Sequence, residues 1–572
     1  MPTLSTPSNL TSARKIKRGH SGCRPCRKRG KKCDEAKPGC RACVRLRLQC
    51  SYGLVYSFRN ADKQSFQSKE NRSSFQAKAL TSWSPRAARH NSPLPVAIDT
   101  KFNAEAHYLN HFISHVCHLL PADGLQFDHR VLQAPYLRFA ALCISASSLL
   151  MLNAQVQTRS LPGDPRRTVC SPLANQVHIN QARKYHDEAI AYCRSATTLD
   201  VLSEAPGILI ALTILAYYHH ASTNHLQFRL AVWETVRFVW KNRESLTRSP
   251  DGVQALQMWY RLCVSHRLGK PPAMLLDGEG ISAHGPNLYP DSFGNLYMGC
   301  VMGMSTEDLI YDILIKTIEL RTRIVVFRCV AGNLEVCETS RNLGGATHEL
   351  LNQCLGKDNS AGEWAEAQDG FVRGSHLQGL LDVQRERLKV WKSRLNETQS
   401  PDNSMPFSTH RDAMNALYSI LCEMMFDEDR VEGADNFSKH TQRFLHVLST
   451  LKLSDCVTSD VYTFSLTEIL LQTCLVAKST DLFNYILDDL WSALESSGRG
   501  YEHSHYPTHL AKRIVGLLAI YWEQKRDVKF MLPAVKEDTP KTKLLDVNEQ
   551  LALVVCGQDG EGKYFVKRVA LP

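Results

Sequence analysis

The sequence predicts a mainly α protein with three parts: a small cysteine-rich N-terminal module, a Ser/Arg-rich linker and a large all-helical domain. Three observations support this fold class. Six cysteines crowd into residues 23–50, residues 57–97 are polar with few aliphatic side chains, and helical apolar stripes begin after residue 99. With 572 residues, 43% of them hydrophobic, the chain has ordinary globular composition and room for several domains.

Changes in composition divide the chain into five segments. Residues 1–20 are rich in Ser, Thr and Pro and end in a basic run, which predicts a disordered arm. Residues 21–52 form the cysteine module, and residues 53–100 cannot bury a core and are predicted to be a linker. Residues 101–530 carry the helical domain. The tail, 531–572, contains "LALVVC" and "KYFVKRVAL", whose alternation predicts short strands.

Helices are predicted wherever apolar residues recur with a period of 3.6 or run on continuously. The segments around 136–152 and 207–220 are apolar nearly all round, as core helices are, and Pro206 fits the first turn of the second. The full set of predicted helices is 104–120, 136–152, 178–196, 207–220, 307–327, 377–395, 411–426, 467–494 and 509–525.

Positive charge is concentrated near the N-terminus. Residues 14–50 contain fourteen Lys and Arg against two acids, a balance of +12, whereas the whole chain carries +11. Such asymmetry indicates a polyanion partner, nucleic acid first. No N-terminal apolar stretch resembles a signal peptide and no segment reaches about 18 uninterrupted apolar residues, so we expect a soluble intracellular protein with no membrane partner.

Nineteen cysteines occur in the chain, and six of them share a regular spacing. They read Cys-x2-Cys-x6-Cys-x6-Cys-x2-Cys-x6-Cys, and Pro38-Gly39 provides a turn between the two halves. Thiolates are strong ligands for Zn²⁺, and a structural site takes four of them. Two Cys-x2-Cys pairs could close one such site, but the repeated half favours two zinc ions with shared thiolates. A module this small would take its folding free energy from the metal.

These six positions and the basic residues between them resemble the fungal Zn2Cys6 binuclear cluster family of DNA-binding transcription factors. The resemblance implies two Zn²⁺ per chain, bridged by Cys23 and Cys40. It also implies that one ion takes the two further ligands Cys26 and Cys33, and the other takes Cys43 and Cys50.

The same resemblance implies contacts with double-stranded DNA. In the family, a short helix after the first Cys-x2-Cys directs its C-terminal end into the major groove at a CGG triplet. Here that text is "CRKRGKKC", in which Arg27, Arg29 and Lys32 match and Gly30 replaces the usual base-reading Lys. We therefore predict that Arg29 reads guanine. The side chains predicted to contact phosphates are Arg24, Lys28, Lys31, Arg41, Arg45 and Arg47.

The arm contributes a basic run that is predicted to act as a nuclear import signal, with phosphate contact as the alternative. Its residues are Arg14, Lys15, Lys17 and Arg18. A nuclear location follows from this prediction.

The body is similar to the helical fungal-specific transcription factor regulatory domain. The phrases that carry the similarity include "HYLNHFISHVCHLLP", "ARKYHDEAIAYCR" and "MWYRLCVSHRLGKPP". The resemblance implies a regulatory scaffold, and it leaves open a homodimer, a small-molecule effector and transcription co-regulators as partners.

Three patterns bear on an enzymatic reading, which we do not favour. "GQDGEGKY" (557–564) has the outline of a phosphate loop, but Tyr564 replaces the Ser or Thr that would hold Mg²⁺. His107, His111, His115 and His118 share one helix face and are predicted to be a polar flank rather than a metal stripe. No HExxH, GxSxG or paired-carboxylate motif is found.

The predicted function is therefore a zinc-dependent, sequence-specific transcription factor, not an enzyme, that regulates RNA polymerase II genes of a metabolic or secondary-metabolite set through CGG-like sites. The alternative is an effector-binding or enzymatic helical protein that the cluster tethers to nucleic acid.

Overall fold

A computed structural model provides the structure of the chain. It describes residues 25–26, 33–34, 36, 40–46, 48, 100–121, 127, 131–152, 155–161, 164–173, 176–199, 201–222, 225–266, 300, 304–332, 337–339, 346, 371–398, 407, 409–428, 433–477, 479–496, 508–533 and 552–571. The chain separates into two compact units, Met1–Leu94 and Pro95–Pro572. The predicted arm and the linker up to residue 99 lie outside the described residues.

The first unit contributes helix α1 (Arg41–Arg45), which belongs to the cysteine module. The second unit contains the remaining helices. They are α2 (Thr100–His111), α3 (Cys117–Leu119), α4 (Pro135–Leu152), α5 (Gln176–Leu199), α6 (Val201–Ala221), α7 (His225–Arg248), α8 (Pro250–His266), α9 (Thr306–Ala331), α10 (Gly374–Thr398), α11 (His410–Asp427), α12 (Gly433–Thr450), α13 (Leu453–Ser459), α14 (Leu466–Val476), α15 (Thr480–Asn484), α16 (Trp491–Ser496) and α17 (Thr508–Glu523). The π-helical turns Phe112–Val116 and Tyr485–Leu490 connect α2 to α3 and α15 to α16.

The strands among the described residues form three small antiparallel sheets. They are β1 (Gln155–Leu161), β2 (Asp164–Leu173), β3 (Cys337–Thr339), β4 (Phe371–Arg373), β5 (Asp527–Pro533), β6 (Ala552–Gln558) and β7 (Tyr564–Ala570). β1 pairs with β2 and β3 with β4, while β5, β6 and β7 form one sheet in that order. The mainly α class is confirmed, and β6 and β7 lie within residues 531–572.

Local sequence signals explain several of the helix ends. α9 begins after Ser305, whose hydroxyl accepts a hydrogen bond from the Asp308 backbone N–H at 3.1 Å, and it ends at Gly332, which has a φ of 75°. α11 and α14 both begin with reciprocal capping boxes, formed by Thr409 with Asp412 and by Ser465 with Glu468. These caps satisfy backbone groups that the helices themselves leave unpaired.

One continuous core fills the second unit. α4 packs on α5 and α6, α6 on α7 and α8, and α9 on α10 and α11. Two aromatic members of this core have polar partners: Trp259 Nε1 donates to Thr235 Oγ1 at 3.0 Å, and the Tyr260 hydroxyl donates to Asp312 Oδ1 at 3.2 Å. Burial of apolar area on both faces of α4 and α6 explains why their sequences are apolar nearly all round.

α9 is buried along most of its length although it carries several charged side chains. Each of these charges has an opposite charge nearby, as burial requires. Lys316 Nζ lies 3.2 Å from Asp312 Oδ2, and Arg323 Nη2 lies 3.1 Å from Glu319 Oε1. Arg321 reaches Glu428 on the neighbouring chain segment, with Nη2 donating to Oε1 at 2.9 Å. The charged side chains of α9 from Asp312 to Arg323 are therefore both buried and ion-paired.

The structure differs from the sequence-based helices at several places, and α7, α8, α12 and α13 were not among the predicted helices. The helix predicted at 207–220 begins at Val201, so Pro206 lies inside α6 rather than at its first turn. The helix predicted at 467–494 is interrupted after Val476, because Ala477 adopts an extended conformation (φ −90°, ψ 103°). The helical body also contains strands β1 to β4, since pairing between two antiparallel strands can stabilise segments whose own alternation is weak.

The segment that resembled a phosphate loop is a β-hairpin. Residues 557–564 end β6, turn and begin β7, and Gln558 pairs with Tyr564 across the turn. A phosphate loop requires a helix after its lysine, whereas here a strand follows. Among the residues that the structure describes, no helix is long and apolar enough to cross a membrane.

Candidate metal centre and nucleic-acid interface

Cys40 and Cys43 are positioned by the first turn of α1. Cys40 is the N-cap of this helix (φ −69°, ψ 148°), and its sulfur accepts a hydrogen bond from the Cys43 backbone N–H at 3.4 Å. The Val44 backbone N–H donates to the Cys40 carbonyl at 3.0 Å and closes the turn. A Cys-x2-Cys pair at a helix N-terminus therefore presents its first sulfur to a backbone N–H group.

The sulfurs of Cys26, Cys33 and Cys40 converge. All three Sγ atoms lie within 4.8 Å of one another, and the Cys26 and Cys40 sulfurs are 3.6 Å apart. A disulfide would bring two sulfurs to about 2.05 Å, so the 3.6 Å separation of the Cys26 and Cys40 sulfurs is too long for one. Thiolates placed about 2.3 Å from one zinc ion at tetrahedral corners would be about 3.8 Å apart. The sulfur spacing therefore fits shared coordination of a zinc ion.

Burial at this site is almost entirely burial of sulfur. Cys26, Cys40 and Cys43 have no exposed surface, and within the described residues Cys33 and Ala42 are the partly buried apolar side chains packed against them. Such a cluster removes too little apolar surface from water to hold a fold by the hydrophobic effect. The donor set and its burial therefore fit a metal ion as the centre of the module.

Four of the six predicted zinc ligands belong to the described residues: Cys26, Cys33, Cys40 and Cys43. The structure brings the first three together, and it places Cys43 on α1 beside Cys40. Cys23 and Cys50 lie outside the described residues.

Two of the predicted DNA contacts, Arg41 and Arg45, belong to the described residues. Both side chains are exposed on α1, and the Arg41 backbone N–H donates to Asp34 Oδ2 at 3.1 Å, which joins the helix to the preceding segment. The other predicted contacts lie outside the described residues; they are Arg24, Arg27, Lys28, Arg29, Lys31, Lys32 and Arg47. The predicted import residues Arg14, Lys15, Lys17 and Arg18 also lie outside them.

The histidine stripe of the body lies along α2, its π-helical turn and α3. His111 Nε2 is 3.1 Å from Ser148 Oγ on α4, and the His111 and His115 rings stack with centroids 5.2 Å apart. Burial, and then the nearby His115, lower the pKa of His111 to about 4. His107 and His118 are exposed. The stripe therefore runs from a half-buried histidine with a lowered pKa to exposed histidines, a pattern typical of a polar flank.

Sequence reasoning missed a second group of metal-ligand side chains, in the helical body. His410, Cys456 and Asp460 place one ligand atom each within 4.8 Å of the others. Cys456 and Asp460 are four residues apart, but His410 is distant in the sequence, so no local spacing could have revealed the group.

Comparison with known proteins identifies the N-terminal module. Residues 21–54 match the family described as the fungal Zn(2)-Cys(6) binuclear cluster domain. Neither a curated protein nor a solved structure matches the chain significantly. The match does not extend into the body, whose similarity to the regulatory domain stays a prediction. Residues 21–54 are therefore a fungal Zn(2)-Cys(6) binuclear cluster domain, which binds two zinc ions and makes the chain a zinc-cluster DNA-binding transcription factor.

Proposed function

We propose that this protein is a nuclear regulator of RNA polymerase II genes that binds CGG-like sites and controls a metabolic or secondary-metabolite gene set. The observation that carries the proposal is the convergence of Cys26, Cys33 and Cys40 inside the segment that matches the binuclear cluster. The concentration of basic residues around those cysteines supports DNA as the partner.

In this proposal the six cysteines divide between two ions. Cys40 and Cys23 bridge the two ions. The position of Cys40, between Cys26 on one side and the helix that carries Cys43 on the other, agrees with this role. Cys26 and Cys33 complete one site, and Cys43 and Cys50 complete the other. Six thiolates and two Zn²⁺ leave a net charge of about −2, so the surrounding arginines and lysines must supply the attraction to DNA.

DNA recognition is divided between base reading and phosphate contact. Arg29 reads guanine O6 and N7 in the major groove, because its neighbour Gly30 has no side chain for that role. Arg41 and Arg45 contact phosphates; their exposure on α1 leaves both guanidinium groups available to a polyanion. Residues 14–18 direct nuclear import, and their replacement by alanine should move a fluorescently tagged chain out of the nucleus.

The helical body acts as the regulatory part, which a homodimer partner, a small-molecule effector or co-regulators would engage. Transcription factors of the zinc-cluster type are generally non-enzymatic, and we propose no catalytic step for this chain. The continuous apolar core of the body supports a scaffold role.

The test is a DNA-binding titration of the full-length protein. The preferred duplex is first selected from a random library, and binding is then measured with zinc, with a chelator, and after zinc is restored. Chelation should abolish site-specific binding and zinc should restore it. Cys26→Ser should abolish it as well, whereas Cys474→Ser, a change at a buried cysteine of the body, should not. Selective binding that persists without zinc, or a small-molecule turnover by the chain, would contradict the proposal.

A further inference from the structure

The helical body contains three metal-ligand side chains of different chemistry that meet beside a cavity. His410 is the first residue of α11, Cys456 lies in α13, and Asp460 directly follows α13. Their ligand atoms all lie within 4.8 Å of one another, and His410 Nε2 is 2.8 Å from Asp460 Oδ1. We propose that His410, Cys456 and Asp460 bind one zinc ion, in addition to the two ions of the N-terminal cluster.

The three side chains are held in place by secondary structure and burial. Thr409 caps α11 and fixes the position at which His410 begins the helix. Cys456 and Asp460 are separated by one helical turn, so their side chains lie on the same face of the chain. Cys456 is 5% exposed and Asp460 is 3% exposed. The ligand atoms are therefore preorganised, which lowers the conformational entropy that a metal site loses on binding.

The donor chemistry selects the ion. Hard cations such as Mg²⁺ and Ca²⁺ take oxygen ligands, whereas one imidazole, one thiolate and one carboxylate suit Zn²⁺. The thiolate and the carboxylate together balance the charge of the ion, so a neutral assembly would occupy this buried place. Binding through Nδ1 of His410 would leave the hydrogen bond between Nε2 and Asp460 in place, and it would release the thiol proton of Cys456 to water.

A second observation also indicates a ligand. Within the described part of the chain, the buried Nδ1 atom of His410 has no hydrogen-bond partner. Such an atom is costly to bury unless a donor, a water molecule or a metal satisfies it. Each ring nitrogen of a metal-bound histidine normally has a partner, one the metal and the other a hydrogen-bonding group.

The cavity provides an entry path and room for a further ligand. It has a volume of about 250 Å³, and His410 and Asp460 form part of its wall. Its acidic side chains have arginine partners: Arg411 Nη1 lies 3.0 Å from Glu307 Oε2, and Arg261 donates to Asp308. Three protein ligands leave one tetrahedral position, which a water molecule from this cavity would fill.

The first experiment counts zinc in the full-length protein by elemental analysis after dialysis against buffer with trace zinc. The wild-type chain should hold about three ions, and Cys456→Ser and His410→Gln should each hold about two. His410→Gln keeps a side-chain amide that can donate to Asp460, so the packing of α11 is retained. Cys474→Ser, at another buried cysteine, is the matched control and should keep all three ions.

A second measurement, X-ray absorption at the zinc edge of the wild-type protein, does not depend on any variant folding. Two four-sulfur sites and one His/Cys/Asp site average to about three sulfurs and one lighter ligand per zinc, against four sulfurs for the cluster alone. Two zinc ions in the wild type, an all-sulfur spectrum, or a third ion that survives both substitutions as adventitious zinc would overturn the proposal. DNA binding measured in parallel reports on the cluster, so loss of the third ion with unchanged DNA affinity distinguishes this site from the proposed function.

Discussion

The pH dependence of stability should report on His219, a buried histidine on α6. This residue is 8% exposed, and its Nε2 atom lies 3.1 Å from Nε2 of His186 on α5. His186 Nδ1 lies 3.1 Å from Asp187 Oδ1, and the Tyr218 ring packs against the His219 ring. Burial, and then the neighbouring His186, lower the pKa of His219 from 6.5 to about 3.

The sign of the effect follows from proton binding. Between pH 6.5 and about 3, the unfolded chain binds a proton at His219 and the folded chain does not. Acidification therefore favours unfolding, and the stability contributed by the neutral ring is present above pH 6.5 and is lost as the pH falls. From pH 7 to pH 5 the loss from this residue is about 2 kcal/mol, when the unfolded chain has the ordinary histidine pKa.

The assay is urea unfolding of the full-length protein followed by circular dichroism at pH 7, 6 and 5. His219→Gln removes the titrating group and keeps a polar atom near His186. Between pH 7 and pH 5, the free energy of unfolding of this variant should therefore fall by about 2 kcal/mol less than that of the wild type. His446→Gln, a change at an exposed histidine of α12, is the matched control and should follow the wild type. If His219→Gln keeps the wild-type pH slope within about 0.5 kcal/mol, the buried ring does not control this titration and the reasoning is refuted.

Three further predictions concern the cluster, the DNA and the C-terminal sheet. Cys40→Ser should lose both cluster zinc ions because it removes a proposed bridge, whereas Cys33→Ser should retain one; elemental analysis distinguishes the two results. Arg29→Ala should reduce the free-energy preference among related DNA sites by about 1–3 kcal/mol. Arg45→Ala should weaken binding to all sites alike and lower the slope of log affinity against log salt by about one. The assay is a titration at two salt concentrations, and an Arg29→Ala variant that kept the wild-type ranking of sites would contradict the prediction. Gly557→Ala should reduce the free energy of unfolding by about 1–3 kcal/mol, because the added Cβ would clash with the backbone oxygen of Asp527 in β5. Urea unfolding measures the effect, and an unchanged urea midpoint would show that the strands move apart without penalty.

Most of the helices could be predicted because helical signals are local. α4, α5, α9, α10, α11 and α17 appear where apolar periodicity placed them, and the capping residues Ser305, Thr409 and Ser465 stand immediately before their helices. The break after Val476 was not predictable in this way. The segments on both sides of the break are apolar, and their period continues across the short polar run that contains Ser479, the N-cap of α15.

The sequence by itself determined the identity of the metal module. All six cysteines lie within residues 23–50, and the spacing of ligands along so short a chain nearly dictates which sulfurs can share an ion. The positive charge that predicts a nucleic-acid partner could be recognised for the same reason, because the basic residues lie between the ligands in the same short segment. The structure added the contact of Cys26 with Cys40 and the orientation of Cys43 on α1.

Only the tertiary structure decided what meets inside the body. His410 and Asp460 are 50 positions apart, and Arg321 and Lys529 are 208 apart, yet each pair is in direct contact. The reason is physical: contacts between distant segments depend on how whole helices pack, and many packings are compatible with the same apolar stripes. The contacts of Arg321 and the His/Cys/Asp group therefore carry no local signature, and these partners become known when the helices are in place.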